Sequence, residues 1–353
     1  MQSRRGFLSG VLALASCVPP AWADAGGPRY LSSARLPNGA HALIGLRADG
    51  GLAFSQPLPA RGHAAAAHPN RAEAVAFARR PGTYGLVIDC MTGRVSHRLE
   101  TPPARHFYGH GAFSADGATL FTTENDIATG AGRIGVWDAD AGYRRIGELP
   151  SGGVGPHEII RIAQTGELAV ANGGIRTHPD TGREKLNLDE MRPNLTLMAP
   201  EGRIADVAEL PATLHQNSLR HIADLPGGRV ACAFQWQGDP FAAPSIVGVY
   251  TPGGGLALLP MAEGFLRGLD GYAGSIAALG AQRLVASFPR GNALQVFDLE
   301  SGAARTLRQT DVCGVAGAMA TDGLGGVQRI GQGGFTRLAQ HAMAFDNHLV
   351  QVG

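Results

Sequence analysis

Residues 106–142, HFYGHGAFSADGATLFTTENDIATGAGRIGVWDADAG, decide the fold. Gly109-His110 enters a first strand and Asp116-Gly117 turns it into a second. A long loop follows Thr122, and residues 134–138 form a third strand before the turn at Gly142. Glycine is expected at such turns because the backbone there takes positive φ. The stretch reads as one complete four-stranded antiparallel unit.

Weaker copies of it lie on both sides. Ile88-Asp89 leads to Gly93, Trp137-Asp138 to Gly142 and Phe297-Asp298 to Gly302, while residues 198–202 and 250–255 hold the same place without the aspartate. The earlier hairpin turn recurs as Asp116-Gly117, Thr165-Gly166, Gly227-Gly228, Gly280-Ala281 and Asp322-Gly323. Equivalent turns are about 40 to 60 residues apart, the period of a propeller blade with insertions. With 353 residues, 44% of them apolar, and 51 glycines, the chain can bury a large core yet shows almost no long helical pattern. The expected fold is all-β: a single seven-bladed β-propeller of four-stranded antiparallel blades over residues 24–353, preceded by a signal peptide over residues 1–23. Tyr30 to Ser33 is the candidate for the strand that completes the last blade and closes the ring. A formal charge of +1 and the lack of any Lys/Arg stripe exclude a nucleic-acid partner. Lys185 is the only lysine, which fits the codon usage of a GC-rich genome.

Ser3-Arg4-Arg5-Gly6-Phe7-Leu8 matches the twin-arginine export signal, and Ala21-Trp22-Ala23 offers a small-residue cleavage site. The apolar run between them is too short to span a bilayer, so no transmembrane segment is expected. The chain is therefore expected in the periplasm, beginning near Asp24. A rival reading takes Leu14-Ala15-Ser16-Cys17 as a lipoprotein box that leaves Cys17 as a lipid anchor. Cys90, Cys232 and Cys313 remain, and at most one disulfide can join them. Buried strand positions are expected for Cys90 and Cys232.

Several clusters carry chemistry. Glu124, Asn125 and Asp126 sit together in the loop after Thr122, either as a solvated turn or as oxygen ligands for a ligand or cation at the channel rim. Residues 171–187, ANGGIRTHPDTGREKLN, make a loop long enough to be functional. Its Asn172, Arg176, His178, Asp180, Arg183, Lys185 and Asn187 either tie down the loop itself or form an anion or metal site. His157-Glu158 begins the strand before it. Strand alternation puts Arg220 and His221 on opposite faces, and Gln235, Gln237 and Arg290 complete the candidate ligand-binding set. His63, His110, His157 and His215 fall at starts of successive inner strands, spaced by about 47, 47 and 58 residues. Such a ring at one end of the channel could bind copper, iron or zinc. The alternative is that each histidine locks its blade by bonding the aspartate of a neighbouring turn.

Gly109-His110 paired with Trp137-Asp138 looks like a single WD-type repeat. FTTEND, IGVWD, GPHE, the 171–187 loop, SLRH and SFPRG, in that order behind a twin-arginine signal, resemble the proteobacterial family labelled domain of unknown function 1513. Gln235-Trp236-Gln237-Gly238 agrees with that family's Gln-x-Gln-Gly. The resemblance implies a periplasmic seven-bladed propeller. It also implies a gene neighbourhood of imelysin-type proteins and a dihaem oxidoreductase, hence a role in acquiring iron or another metal. Iron, copper or a divalent cation is the cofactor to expect.

Three functions follow: an accessory factor that binds a metal, metal complex or partner protein at the channel mouth; a metal-dependent hydrolase or lactonase-like enzyme; and a pure interaction scaffold. The enzyme reading would use Glu124, Asn125, Asp126 and Asn172 as ligands and His157 as base. The sequence has no GxSxG, CxxCH or Walker loop, and no GxGxxG in a strand-to-helix context, and fold alone does not choose among the three.

Overall fold

The computed structural model describes residues 21–78, 84–182 and 184–352. The twin-arginine motif, Cys17 and Arg183 lie outside the described residues. Seven antiparallel sheets are arranged as the blades of a propeller. Blades two to seven are contiguous in sequence, over residues 62–99, 105–154, 156–209, 217–258, 275–308 and 312–340.

Burial follows distance from the axis. Second strands such as Glu73–Ala78 and Leu168–Asn172 are buried on both faces, because each blade is covered by a neighbour on either side. They accordingly read as continuous apolar runs. Outermost strands such as Arg94–Leu99 and Ile204–Glu209 are exposed and charged, which keeps these free edges from pairing with other chains. The repeated aspartate has a local cause. Asp138 Oδ1 accepts the Ala141 amide at 3.0 Å and Asp298 Oδ1 the Ser301 amide at 2.8 Å, so each side chain closes its own turn. The glycines that follow, Gly142 and Gly302, take φ of 68° and 72°.

Two expectations are corrected. The strand that opens at Thr119 does not stop at Thr122 but runs to Asp126, paired with Ala131–Asp138, so Glu124, Asn125 and Asp126 belong to a strand rather than a loop. Ring closure also runs the other way. Blade seven is complete without Tyr30–Arg35, and the C-terminal segment instead supplies the inner edge of blade one. It does so in two pieces: Ala344–Phe345 pairs with Arg35 and Ala34, and Val350–Gln351 pairs with Leu31 and Tyr30. Between them residues 346–349 leave the ladder, held by the Asp346 amide on Ser33 O at 2.9 Å and by Ser32 Oγ on His348 O at 2.8 Å.

Trp22 is buried against blade two, its indole N–H donating to His68 O at 2.8 Å. Among the described residues no helix is long and apolar enough to cross a membrane. Cys90, Cys232 and Cys313 are all free and buried, in three separate apolar clusters. Burial pushes the Cys90 thiol up to about 12 and raises the other two further. Thiol titration with an aromatic disulfide reagent should therefore leave all three unreacted in the native protein and modify them only after denaturant is added. Fast native reaction of any one would contradict this packing.

Candidate functional site

The innermost strands converge on the propeller axis and carry five histidines to it. His63 lies in Gly62–Ala67, His110 in Arg105–Phe113, His157 in Pro156–Arg161, His221 in Asn217–Leu225, and His348 in the interruption of the closing strand. Their rings touch: His63 is 4.2 Å from His348 and 4.9 Å from His110, His110 is 4.7 Å from His348, and His157 is 5.0 Å from both His110 and His221, centroid to centroid. His110, His157, His221 and His348 are buried, and His63 is half-buried. The approach of His63 demands glycine on the next blade. Gly109 has φ of 102°, and a Cβ there would sit 2.5 Å from His63 Cδ2.

Two carboxylates orient this cluster. Glu158 takes the His221 Nδ1–H at 3.2 Å and the Ile222 amide at 3.0 Å, while its other oxygen lies 3.6 Å from His110 Nδ1. Asp346 accepts from His348 Nδ1 at 3.3 Å and is held by Arg61 at 2.7 Å. Burial favours the neutral acid at Asp346, but His348 and Arg61 outweigh it and keep the carboxyl well below the usual carboxylate range. A carboxylate on Nδ1 fixes the tautomer and leaves the Nε2 lone pair pointing onward. Among the described residues, Nε2 of His110 and His348 and Nδ1 of His157 are buried atoms with no hydrogen-bond partner. Ligand nitrogens of His63, His110 and His348 lie within 4.8 Å of one another. Burial, followed by the neighbouring imidazoles, holds the His110 pKa well below its ordinary value. His157 is lowered in the same way, by burial and then by Arg220, and burial lowers His221 against the opposing pull of Glu158. At His110, His157 and His221 burial thus favours the neutral imidazole, the form that binds metal.

Two cavities meet at this layer. The upper one, about 550 Å³, is walled by His63, His157, His221 and His348 and roofed by the long loop between Leu168–Asn172 and Asn194–Met198. The lower one, about 430 Å³, is lined by apolar inner strands and reaches His110, Glu158, His221 and His348.

The sequence candidates divide accordingly. His63, His110, His157, Glu158 and His221 come together at the axis, and His178, Lys185, Arg220, Gln235, Gln237 and Arg290 line the upper cavity. Arg220 and His221 both face the channel, against the expected alternation, because a bulge between Leu219 and His221 inserts Arg220 between two paired positions. His215 does not join the ring. It ends the short 3₁₀ turn Ala212–Leu214, its Nδ1 bonding Ala212 O at 3.0 Å, and His221 holds the place instead.

Glu124 is fully buried inside blade three, bonded to Arg145 Nη1 at 2.6 Å and to Thr122 Oγ1 at 2.8 Å, which in turn accepts the Trp137 indole N–H at 2.9 Å. Asn125 bonds His106, and Asp126 caps the turn at Thr129 and pairs with Arg105. Asn172 is sealed against Ser151, Asn194 and Thr196. None of these four lines either channel cavity. Arg176 and Asn187 bond backbone within and beside the loop, and His178 with Asp180 closes the 3₁₀ turn Pro179–Thr181. His110 bonds no turn aspartate; the blade-locking histidine is His68, whose Nε2 meets Gly117 O at 3.2 Å. Asp346, His348 and Tyr272 also line the upper cavity and were absent from the candidates read from the sequence. The ring-closing role of the C-terminus was the available signal for the first two.

These features define a seven-bladed propeller with a histidine-filled channel. The chain belongs to the family described as "Protein of unknown function (DUF1513)", whose model matches residues 56–352. A search of curated proteins finds no match. Among solved structures, a chain of Kuenenia stuttgartiensis hydrazine synthase is similar with a TM-score of 0.57 at 14% identity, over 84% of this chain and 81% of that one. The Myceliophteria thermophila Cps50 (Swd1) β-propeller domain is similar with a TM-score of 0.48 at 16% identity, over 80% of each chain. At such identities the first likeness speaks of the fold alone.

The burial of Glu124 makes a direct prediction. Replacing it with alanine takes the buried acceptor from Arg145 Nη1 and from the Thr122 hydroxyl in a packed sheet and should cost about 3 kcal/mol in urea unfolding, the scale of a broken buried pair. The variant's metal content should equal that of the wild type. A stable variant that loses metal would restore Glu124 as a ligand.

Proposed function

We propose that this protein is a metal-binding propeller in which His63, His110 and His348 hold one transition-metal ion at the centre of the channel, with His157 and His221 beside it. The reading rests on one observation: buried His110 and His348 carry unpartnered Nε2 atoms while Glu158 and Asp346 stand behind their Nδ1 atoms, and ring nitrogens of these two histidines and His63 lie within 4.8 Å of one another. This is the arrangement by which carboxylates orient and strengthen histidine ligands. At metal–nitrogen lengths of about 2.0–2.1 Å, nitrogens of a tetrahedral shell lie about 3.4 Å apart, so inward ring rotations of roughly 1 Å would seat an ion. Imidazole donors favour copper, zinc, iron or nickel over calcium or magnesium.

Three ligands would leave a coordination position facing the upper cavity, as suits a site that receives, hands on or presents its ion. With the twin-arginine motif, this supports a periplasmic accessory role in metal acquisition. The hydrolase reading fits less well, because its ligand set of Glu124, Asn125, Asp126 and Asn172 is bonded away inside blades three and four.

Elemental analysis of untagged protein after loading and desalting should give about one equivalent of copper, zinc or iron per chain. His110→Ala should lower retention at least tenfold while leaving the melting temperature of the metal-free protein within a few degrees of wild type. His215→Ala should change nothing. Full retention in His110→Ala, or no retention by wild type, would refute the site.

A further inference from the structure

Among the described residues, the upper cavity is lined by four cationic side chains, Arg105, Lys185, Arg220 and Arg290, and two carboxylates, Asp270 and Asp346. Asp270 is taken by Arg290 at 2.6 Å, and Asp346 by Arg61 and His348. Arg105 is matched by Asp126 and Glu148. Lys185, the only lysine of the chain, reaches across the mouth to neutral Gln237, its Nζ 2.6 Å from Oε1. Burial, and then the charges of Arg220 and Arg290, depress the Lys185 pKa, so the three cations share one field. Arg290 is held in place by stacking over Tyr272, 4.4 Å from the ring centre, and Tyr272 is fixed in turn by Asn347 Nδ2 on its hydroxyl at 2.8 Å. At about 550 Å³ the cavity is of the size that encloses a small organic ligand.

Like charges gathered around one cavity repel one another, and an anion bound among them relieves that repulsion. We propose that the upper cavity binds a small organic oxyanion, a polycarboxylate or a phosphate ester, with Lys185 and Arg290 grasping it at the mouth and Arg220 deeper in. Its inner end would reach the open position on the metal, and only this last contact rests on the metal reading. The ion would then enter or leave as an anionic oxygen chelate rather than as a bare cation.

The test uses full-length mature protein freed of metal by chelator and dialysis, titrated calorimetrically with citrate and with inorganic phosphate at low ionic strength. At least one of the two should bind, the tighter naming the headgroup, and the Lys185→Met/Arg290→Met variant should bind it at least tenfold more weakly. Lys185→Met alone, at an exposed position, covers the case in which the double variant does not fold, with at least a threefold loss expected. No binding of either anion by wild type, or equal binding by the variants, overturns the proposal. His110→Ala separates the two readings, since it should lose metal and still bind the anion. Wild type that binds citrate through Lys185 but holds no metal would leave this inference standing and remove the metal site.

Discussion

The structure depends on the pairing of its last residues with its first. A propeller is stable only when the final blade meets the first, since an open ring leaves two sheet faces and a strand edge in water. Here the closing segment is laid along Tyr30–Arg35 in two short ladders, and the gap between them turns Asp346 and His348 toward the axis. The same few residues therefore complete both the fold and the histidine cluster. The histidine cluster is complete only in the closed ring, because His63, His110, His157 and His221 alone would lack the fifth imidazole and the carboxylate behind it.

The cluster itself is a balance of two opposed terms. Burying four imidazoles and half-burying a fifth is unfavourable unless their polar atoms find partners, since an unpaired buried polar group costs on the order of 1–3 kcal/mol. Glu158 and Asp346 meet part of that need and fix ring orientation, yet nitrogens of His110, His157 and His348 are left over. Burial keeps His110, His157 and His221 from relieving the strain by taking up protons. Unmet lone pairs whose protonation burial disfavours, as at His110 and His157, are what a soft or borderline cation would satisfy, and this is the physical ground of the metal-binding proposal.

Much of this was legible in the sequence, and for identifiable reasons. Turn glycines and self-capping aspartates recur because every blade repeats the same hairpins, so the blade count followed from local chemistry. His63, His110 and His157 were readable because inner strands of adjacent blades begin at nearly constant spacing. The pattern broke at blade five, where the 3₁₀ turn Ala212–Leu214 adds residues before the strand and a bulge re-aims Arg220 and His221. Spacing therefore pointed to His215. His348 was hidden because it belongs to the closing strand, outside the repeat. Glu124 misled because polar residues past an apolar run look like a loop, whereas here the strand continues and the carboxylate is consumed by Arg145. Polarity in sequence does not distinguish a group facing a ligand from one locked in an internal pair.

The five histidines come from blades one to five, and the remaining two blades present Ser275, Ile276, Val315 and Ala316 to the lower channel. A molecule built on sevenfold pseudosymmetry thus has a chemically lopsided axis, donor-rich over one arc and greasy over the other. Anything coordinated there would sit eccentrically, with its bare flank toward blades six and seven, and that flank rather than the geometric centre is where a second reactant would make its approach.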